Sequence, residues 1–493
     1  MKYRSYLKIS LSFISLLFLG LSGCAAFSYT NIKMKSPVTE TKATFCVAQD
    51  RGKYKEDKDK KALVILSLSG GGSRAAYWSS SVMLKLEEVF SDINLLEEVD
   101  ILSSVSGGSL PAAYYVMSRD AHETEARSGR RWDRETVHDL MRRNYRSRWL
   151  WNWLWPYNIF KYWFTAYDRS DIMAQTFSDN MFDVKNFGYD LSFRDANRQR
   201  PYLVINATNG TEDCFSDVFT FTNDDFLKIN SDIGDYDVGR AVMASASFPS
   251  AFNYMTLRDF GSPDRQYVHV FDAGNADNLG LTSVEKIIDM NKHTYNRIIV
   301  ILVDAYTVSK GVNRKDYDAR HFVDYFVDLN FLDGINTLMS ENRNAKIDRL
   351  TDKLRKLNDW ESPQSDNESG QNNKKPDKCP YRKDMTGSKE CDTGSSVIDR
   401  DTPYDTIFYH IKFDDVGVDP NQVFNLQDRL NAISTDFRIT NDGAKAIDEA
   451  VDKLIVNENS CLCLIRDMLA GKPVRRADPY CTWQEGDKGH ESM

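Results

Sequence analysis

From Ala62 to Leu68 the chain is apolar at every position except Ser67, and three glycines, Gly70, Gly71 and Gly72, follow almost at once. A strand with one face in water alternates polar and apolar residues, whereas so continuous a run belongs to a strand buried on both faces, as in parallel sheets covered by helices. Further strand-like runs are Val99–Val105, Tyr202–Ile205, Tyr267–Phe271, Ile298–Val303 and Thr406–Phe413. Helical spacing fills several of the gaps: in Ala75–Phe90, the residues Val82, Leu86 and Val89 share one face. Strands alternating with helices predict an α/β fold, a three-layer α/β/α architecture around a largely parallel central sheet. Residues 361–402, rich in Ser, Asn, Asp, Gly and Lys, read as a long polar insertion near the C-terminal third.

The N-terminus carries Lys2, Arg4 and Lys8 around an almost wholly apolar run, Ile9–Gly20, with small residues leading to Cys24. That is the pattern of a signal peptide, and the apolar run is shorter than the roughly 20 residues a membrane span needs. Leu21-Ser22-Gly23-Cys24 resembles a bacterial lipobox, which implies cleavage before Cys24 and its acylation; several acyl chains anchor stably where one binds only marginally. The expected division is a signal peptide over 1–23, a lipid-anchored tether over 24–61 ending in the charge run Arg51–Lys61, a folded domain over 62–457 and a Cys-containing tail over 458–493. The location this implies is the cell envelope, as an outer-membrane lipoprotein or a periplasm-facing membrane anchor.

Among the eight cysteines, Cys379 and Cys391 bracket the polar loop and are the disulfide candidates there, while Cys461 or Cys463 is expected to pair with Cys481. Cys461 and Cys463 with His490 match no common zinc module, so neither metal nor organic cofactor is implied. Lys and Arg number 63 against 72 Asp and Glu, a net charge of -9, which excludes a global basic surface that follows nucleic-acid backbone. Trp149–Phe164 holds five of the nine tryptophans and follows Arg142, Arg143, Arg146 and Arg148. Aromatic residues beside Arg suit a membrane–water interface, and a packed core helix or flap accounts for them equally.

Three segments stand where predicted strands end, the place at which open α/β sheets build their sites. Gly70, Gly71 and Gly72, with Ser73 and Arg74, allow a tight turn and lead into a helix whose first N–H groups suit an oxyanion. Neither the Lys of a nucleotide phosphate loop nor the third Gly of a dinucleotide motif follows. Ser104-Val105-Ser106-Gly107-Gly108 is a nucleophile elbow with Ser104 at the first small-residue position, and it would raise the Ser106 hydroxyl above the sheet edge. Ser103, Ser104 and Ser109 are rival hydroxyls. Asp272-Ala273-Gly274 offers a base at the end of Tyr267–Phe271, with Asp304 as its competitor.

A glycine loop with Arg, a serine elbow and an Asp-Ala-Gly triplet, in that order, resemble the patatin-like phospholipases. Ala244-Ser245-Ala246-Ser247-Phe248-Pro249 and the stretch Asp272–Leu279 with Asn278 are similar to further blocks of that family. The resemblance covers about residues 62–305. It implies a Ser106–Asp272 dyad without histidine, an oxyanion loop of Gly70, Gly71, Gly72 and Arg74, and a lipid or other acyl-ester substrate. Arg74 either binds a substrate phosphate or braces its own loop, and bracing is the preferred reading. Two rivals stand beside this: a Ser-Asp-His hydrolase using Asp272 or Asp304 with His293, His321 or His410, and an outer-membrane lipoprotein that binds lipid or protein without turnover.

Overall fold

The computed structural model describes residues 31–34, 62–119, 130–184, 189–211, 217–249, 251–262, 266–307, 330–359, 403–417, 425–474 and 476–483. Cys24, Cys379, Cys391, His321 and the polar insertion 361–402 lie outside them.

Nine strands of the described residues form one sheet: β1 (Ala62–Leu68), β2 (Ile101–Val105), β3 (Tyr202–Asn209), β4 (Val218–Phe221), β5 (Met255–Asp259), β6 (Gln266–Phe271), β7 (Arg297–Asp304), β8 (Asp405–Lys412) and β9 (Tyr480–Cys481). Their order is β9-β8-β7-β1-β2-β3-β6-β5, with β4 also on β3. From β9 to β3 all neighbours are parallel, while β4, β6 and β5 each pair antiparallel.

β1 is buried along its whole length, and its side chains divide by the period of two. Val64, Leu66 and Leu68 enter one core with α1 (Gly72–Glu88), α2 (Ser109–Met117), α10 (Asn441–Leu454) and α11 (Ser460–Leu469). Leu63 and Ile65 enter the other, with α8 (Leu281–Asn291) and α9 (Asn330–Asn358), whose Leu350, Leu354 and Leu357 fall at helical spacing. The three layers follow from this partition. Between β2 and the later strands lie α3 (Arg134–Arg142), α4 (Tyr145–Leu154), α5 (Pro156–Phe164), α6 (Arg169–Phe177) and α7 (Val238–Ser245). Asp168 caps α6 in a reciprocal box with Asp171, satisfying N–H groups that the helix itself leaves open.

Two expected boundaries shift. Ile32–Lys33, inside the expected tether, pairs antiparallel with Ser231–Asp232, and buried Asn31 bonds the Arg258 backbone. The segment after 457, expected as a tail, belongs to the sheet: Cys461, Leu462, Ile465 and Met468 are buried and β9 extends the edge beyond β8. A disulfide joins Cys461 to Cys481, which settles the choice between Cys461 and Cys463. The bridge closes a loop of 20 residues, for which chain entropy predicts about 3 kcal/mol. Cys481→Ser is therefore expected to lower unfolding stability by about that much in urea titration; an unchanged midpoint would mean that the edge strand does not depend on the bridge.

Candidate active site

The backbone of β3 decides where the site forms. Along a strand, successive N–H groups point to opposite sides, and in β3 Tyr202 donates to Asp100 and Gly210, just beyond its end, to His269, while Asn209 donates to Asp217. The even positions thus face both β2 and β6, and the odd position faces the approach to β4. β2 and β6 therefore share one side of β3 and meet end to end. β2 runs up to Val105, opposite Asn206; β6 runs antiparallel down to Phe271, opposite Thr208. One residue further along each, Ser106 and Asp272 arrive from opposite directions beside Ala207. Asp272 thus ends an antiparallel strand, although it reaches the same sheet edge as Ser106.

The Ser106 hydroxyl donates to Asp272 Oδ2 at 3.2 Å across 166 positions of chain. Ser106 adopts φ 48, a backbone conformation unusual outside glycine and characteristic of a strained strand-to-helix elbow. Its amide donates to Ser245 Oγ at 2.8 Å, which fixes the turn from the α7 side. Ser247 accepts the Asp272 amide through its carbonyl, and Ser245 accepts that of Ala273 likewise. The block Ala244–Pro249 thus positions both groups. Ser245 and Ser247 were unassigned by the sequence, since nothing in a small-residue helix end says what lies across from it. The rival hydroxyls are engaged elsewhere: Ser103 donates to the Gly280 carbonyl, Ser104 to that of Val204, and Ser109 shares a bond with Ser245.

The glycine loop lies directly against the elbow. A side-chain carbon on Gly107 would stand 2.0 Å from the Gly72 carbonyl oxygen, and one on Gly70 3.3 Å from Ser106 Cβ. No side chain fits at Gly107, which explains the glycine after the serine. Gly71 and Gly72 have φ of 143 and 60 and precede the first hydrogen bond inside α1, so their N–H groups are the loop's candidate oxyanion donors. The other two members named from the sequence have different parts. Gly70 donates its N–H to the Asn278 carbonyl at 2.9 Å. Arg74 is buried and donates to the carbonyls of Ala305, at 2.9 Å, and Ile433, at 2.6 Å, so it braces the loop. Burial brings the Arg74 guanidinium down to about 10, against the opposing charge of Asp304. Asp436, also unassigned by the sequence, closes over the far side: its carbonyl accepts both the amide and the hydroxyl of Ser73.

Burial pushes the Asp272 carboxyl up to about 6, opposed by the Gly274 N–H at 2.8 Å and the Ser106 hydroxyl. Asp304, the competing carboxylate, is treated oppositely. Burial alone would raise it, but the His410 hydrogen bond at 3.1 Å and the Arg343 guanidinium at 2.7 Å outweigh that and hold it well below the ordinary range. The two described histidines of the rival triad, His293 and His410, stand apart from Ser106. His410 spends Nε2 on Asp304 and Nδ1 on the Tyr480 hydroxyl at 2.9 Å. His293 lies in the turn before β7, at the N-terminal edge of the parallel strands, and Ser106 stands at the C-terminal edge.

The family model "Patatin-like phospholipase" matches residues 66–284, which contain β2, β3, β6, the glycine loop, the elbow and Asp272. No curated protein matches the chain. Among solved structures, human GIVD cytosolic phospholipase A2 is 11% identical with a TM-score of 0.33, covering 52% of this chain and 48% of that one. VipD from Legionella pneumophila is 13% identical with a TM-score of 0.25, covering 45% and 47%, and the type III effector protein ExoU is 18% identical with a TM-score of 0.19, covering 38% and 42%. The chain thus spans less than half the length of each of these structures. Over residues 66–284 this chain carries a domain of the patatin-like phospholipase family.

Proposed function

We propose that the chain is a lipid acyl hydrolase that cleaves the fatty-acyl esters of a phospholipid or lysophospholipid through an acyl-enzyme on Ser106. The observation that carries this reading is the 3.2 Å bond from the Ser106 hydroxyl to a buried carboxylate that no cation among the described residues compensates. Asp272 takes the hydroxyl proton as Ser106 Oγ bonds the ester carbonyl carbon, and the carbonyl oxygen, now anionic, meets the N–H groups of Gly71 and Gly72. Collapse of the tetrahedral adduct breaks the ester C–O bond, and the leaving alcohol takes the proton from Asp272. Water then adds to the acyl-enzyme, again losing a proton to Asp272, and the second collapse frees the fatty acid and returns the proton to Ser106. Each preorganised oxyanion donor contributes roughly 3 to 4 kcal/mol to such a reaction. The carboxyl's upward displacement suits the task, because a base is most effective when its pKa lies near the working pH. The lipobox-like Leu21–Cys24 belongs to the same proposal, as an acylated anchor that holds the enzyme at the cell envelope.

Ser106→Ala is expected to abolish both turnover and labelling by a fluorophosphonate. A non-catalytic lipid-binding role predicts instead that the folded wild-type protein is never labelled. Asp272→Asn keeps the shape and removes the base, so kcat on a phospholipid panel should fall by roughly 10² to 10⁴. Replacing His410 with Ala should leave a far larger residue of activity, and a comparable loss there would favour the triad.

Asp272 must be ionised to accept a proton, so kcat/KM should rise with pH up to about 6 and level off above it. A rate independent of pH between 4 and 7 would remove Asp272 from the mechanism. The same displacement sets a stability cost. Between pH 3.8 and about 6 the folded state holds a proton that the unfolded chain has released, so stability falls as pH rises through that window. Above it the full cost, roughly 3 kcal/mol, is present. Asp272→Asn should therefore unfold at a higher temperature than wild type at pH 7, with the difference closing towards pH 4; an equal or lower Tm at pH 7 would contradict the uncompensated burial of this carboxylate.

A further inference from the structure

Helices α4 and α5 form a hairpin whose outer side is bare. Trp151 is 75% exposed, Trp163 73%, Trp155 65% and Tyr157 64%, and α5 has no buried residue at all. Of the readings the sequence leaves open for this segment, exposure argues against the packed core helix and leaves the membrane contact and the flap. An apolar patch this concentrated is unusual on a surface that faces only water.

The inner side of the hairpin is firmly tied to the site. Trp149 donates its indole N–H to the Arg169 carbonyl at 3.1 Å and meets Phe252 edge-on at 5.4 Å; Phe252 in turn meets Phe437 at 5.5 Å. Phe437 adjoins Asp436, whose carbonyl holds Ser73 beside the glycine loop, and Arg146 pairs with the Asp436 carboxylate at 2.9 Å. Phe252 follows the turn whose Ser247 carbonyl accepts the Asp272 amide. The hairpin is therefore tied to two loops, one holding the glycine loop through Ser73 and the other following the turn that holds the Asp272 backbone.

Charge narrows the choice of partner. Residues 145–164 contain Arg146, Arg148 and Lys161 and no Asp or Glu, within a chain of net charge -9. Tryptophan and tyrosine settle at the headgroup level of a bilayer, and Arg and Lys beside them favour anionic lipid. A second copy docked symmetrically would set these cations against each other. The hairpin does not span: its helices have 10 and 9 residues, and among the described residues no helix is long and apolar enough to cross a membrane.

We propose that the α4–α5 hairpin is a lipid-docking element that beds its exposed aromatic face in the headgroup region of an anionic bilayer and so sets the Ser106 site against the membrane surface. The use made of the docked state rests on the hydrolase reading, whereas the docking itself does not. Its test is therefore made on full-length Ser106→Ala protein, which turns over no lipid. The protein is mixed with phosphatidylcholine–phosphatidylglycerol vesicles carrying brominated acyl chains, and quenching of tryptophan emission is read. An acyl anchor elsewhere in the chain brings these tryptophans no closer to the bromines unless the hairpin itself inserts.

Quenching is expected for this protein and should fall by at least about threefold when Trp151, Trp155 and Trp163 are all replaced by Ala, since binding scales with the apolar area inserted. All three are exposed, so the thermal midpoint should be unchanged. Weaker quenching by pure phosphatidylcholine vesicles would support the role given to the cations. The proposal is overturned if the vesicles do not quench, if the triple variant is quenched as strongly, or if the protein without lipid is a dimer that the triple substitution dissociates and vesicles leave unquenched. Loss of esterase activity in Ser106→Ala with intact quenching would leave both readings standing; quenching without any wild-type esterase activity would sink the hydrolase alone.

Discussion

β2 and β6 share one side of β3 and run towards each other, and the site depends on that arrangement. Two parallel strands would have put their terminal residues side by side, about 4.8 Å apart for neighbours and further for any other pair. Two strands meeting head-on bring the residue after each into direct contact in the gap beside Ala207. The serine then needs only the elbow's φ 48 to turn its hydroxyl towards the carboxylate. The remaining parts secure this meeting point: Ser245 and Ser247 hold the two backbones from α7, Thr208 donates to the Asp272 carbonyl at 2.7 Å, and the glycine loop covers the top.

The loop is held as rigidly as the pair it covers. Catalysis of this type requires donors aimed in advance at the position where charge develops, because a loop that must reorganise loses the advantage. Gly70 is fastened to Asn278, Ser73 to Asp436, and Arg74 to Ala305 and Ile433, so three separated stretches of chain converge on five consecutive residues. That leaves the N–H groups of Gly71 and Gly72 between fixed neighbours. Arg74 thereby supports the loop through its geometry, its charge being directed to backbone carbonyls and towards Asp304.

Much of this was legible in the residues. Ala62–Leu68 reads as a strand buried on both faces and is one, because seven positions without a polar alternation leave no solvent face. Ser106 and Asp272 stand at strand ends as expected, since strand, small residues and helix follow each other within a few positions. Strand direction was not legible: Tyr267–Phe271 has the same period of two whichever way it runs, so the head-on meeting lies beyond any local pattern. Nor were Asp436 and Ser245, whose contributions are a carbonyl that every residue possesses and a hydroxyl in a helix end. The segment after 457 looks like a tail because its sheet contact is only two residues long, and it is fixed by the buried disulfide from Cys461 to Cys481. Burial of Asn31 depends on pairing its side-chain amide with the Arg258 backbone 227 positions away, and no composition rule reports such a contact.

Asp272 and Asp304 show why position alone does not assign a base. Each stands at the end of a strand of the same sheet, each reaches the same edge, and each is withdrawn from water, so position alone leaves them rivals. Their surroundings separate them by physics that the sequence spreads over distant residues. Asp304 receives Arg343 from α9 and His410 from β8, and a carboxylate so compensated is a stable anion with little tendency to take a proton. Asp272 receives one amide N–H and one hydroxyl, neither carrying charge, and burial then makes its ionised form costly. That cost is relieved when the carboxylate takes the serine's proton, so the same desolvation that weakens the fold at neutral pH drives the first proton transfer of the proposed reaction. A cation placed near Asp272 would stabilise the protein and weaken the base together, which suits a charged network gathered around Asp304 and, among the described residues, only neutral partners at Asp272.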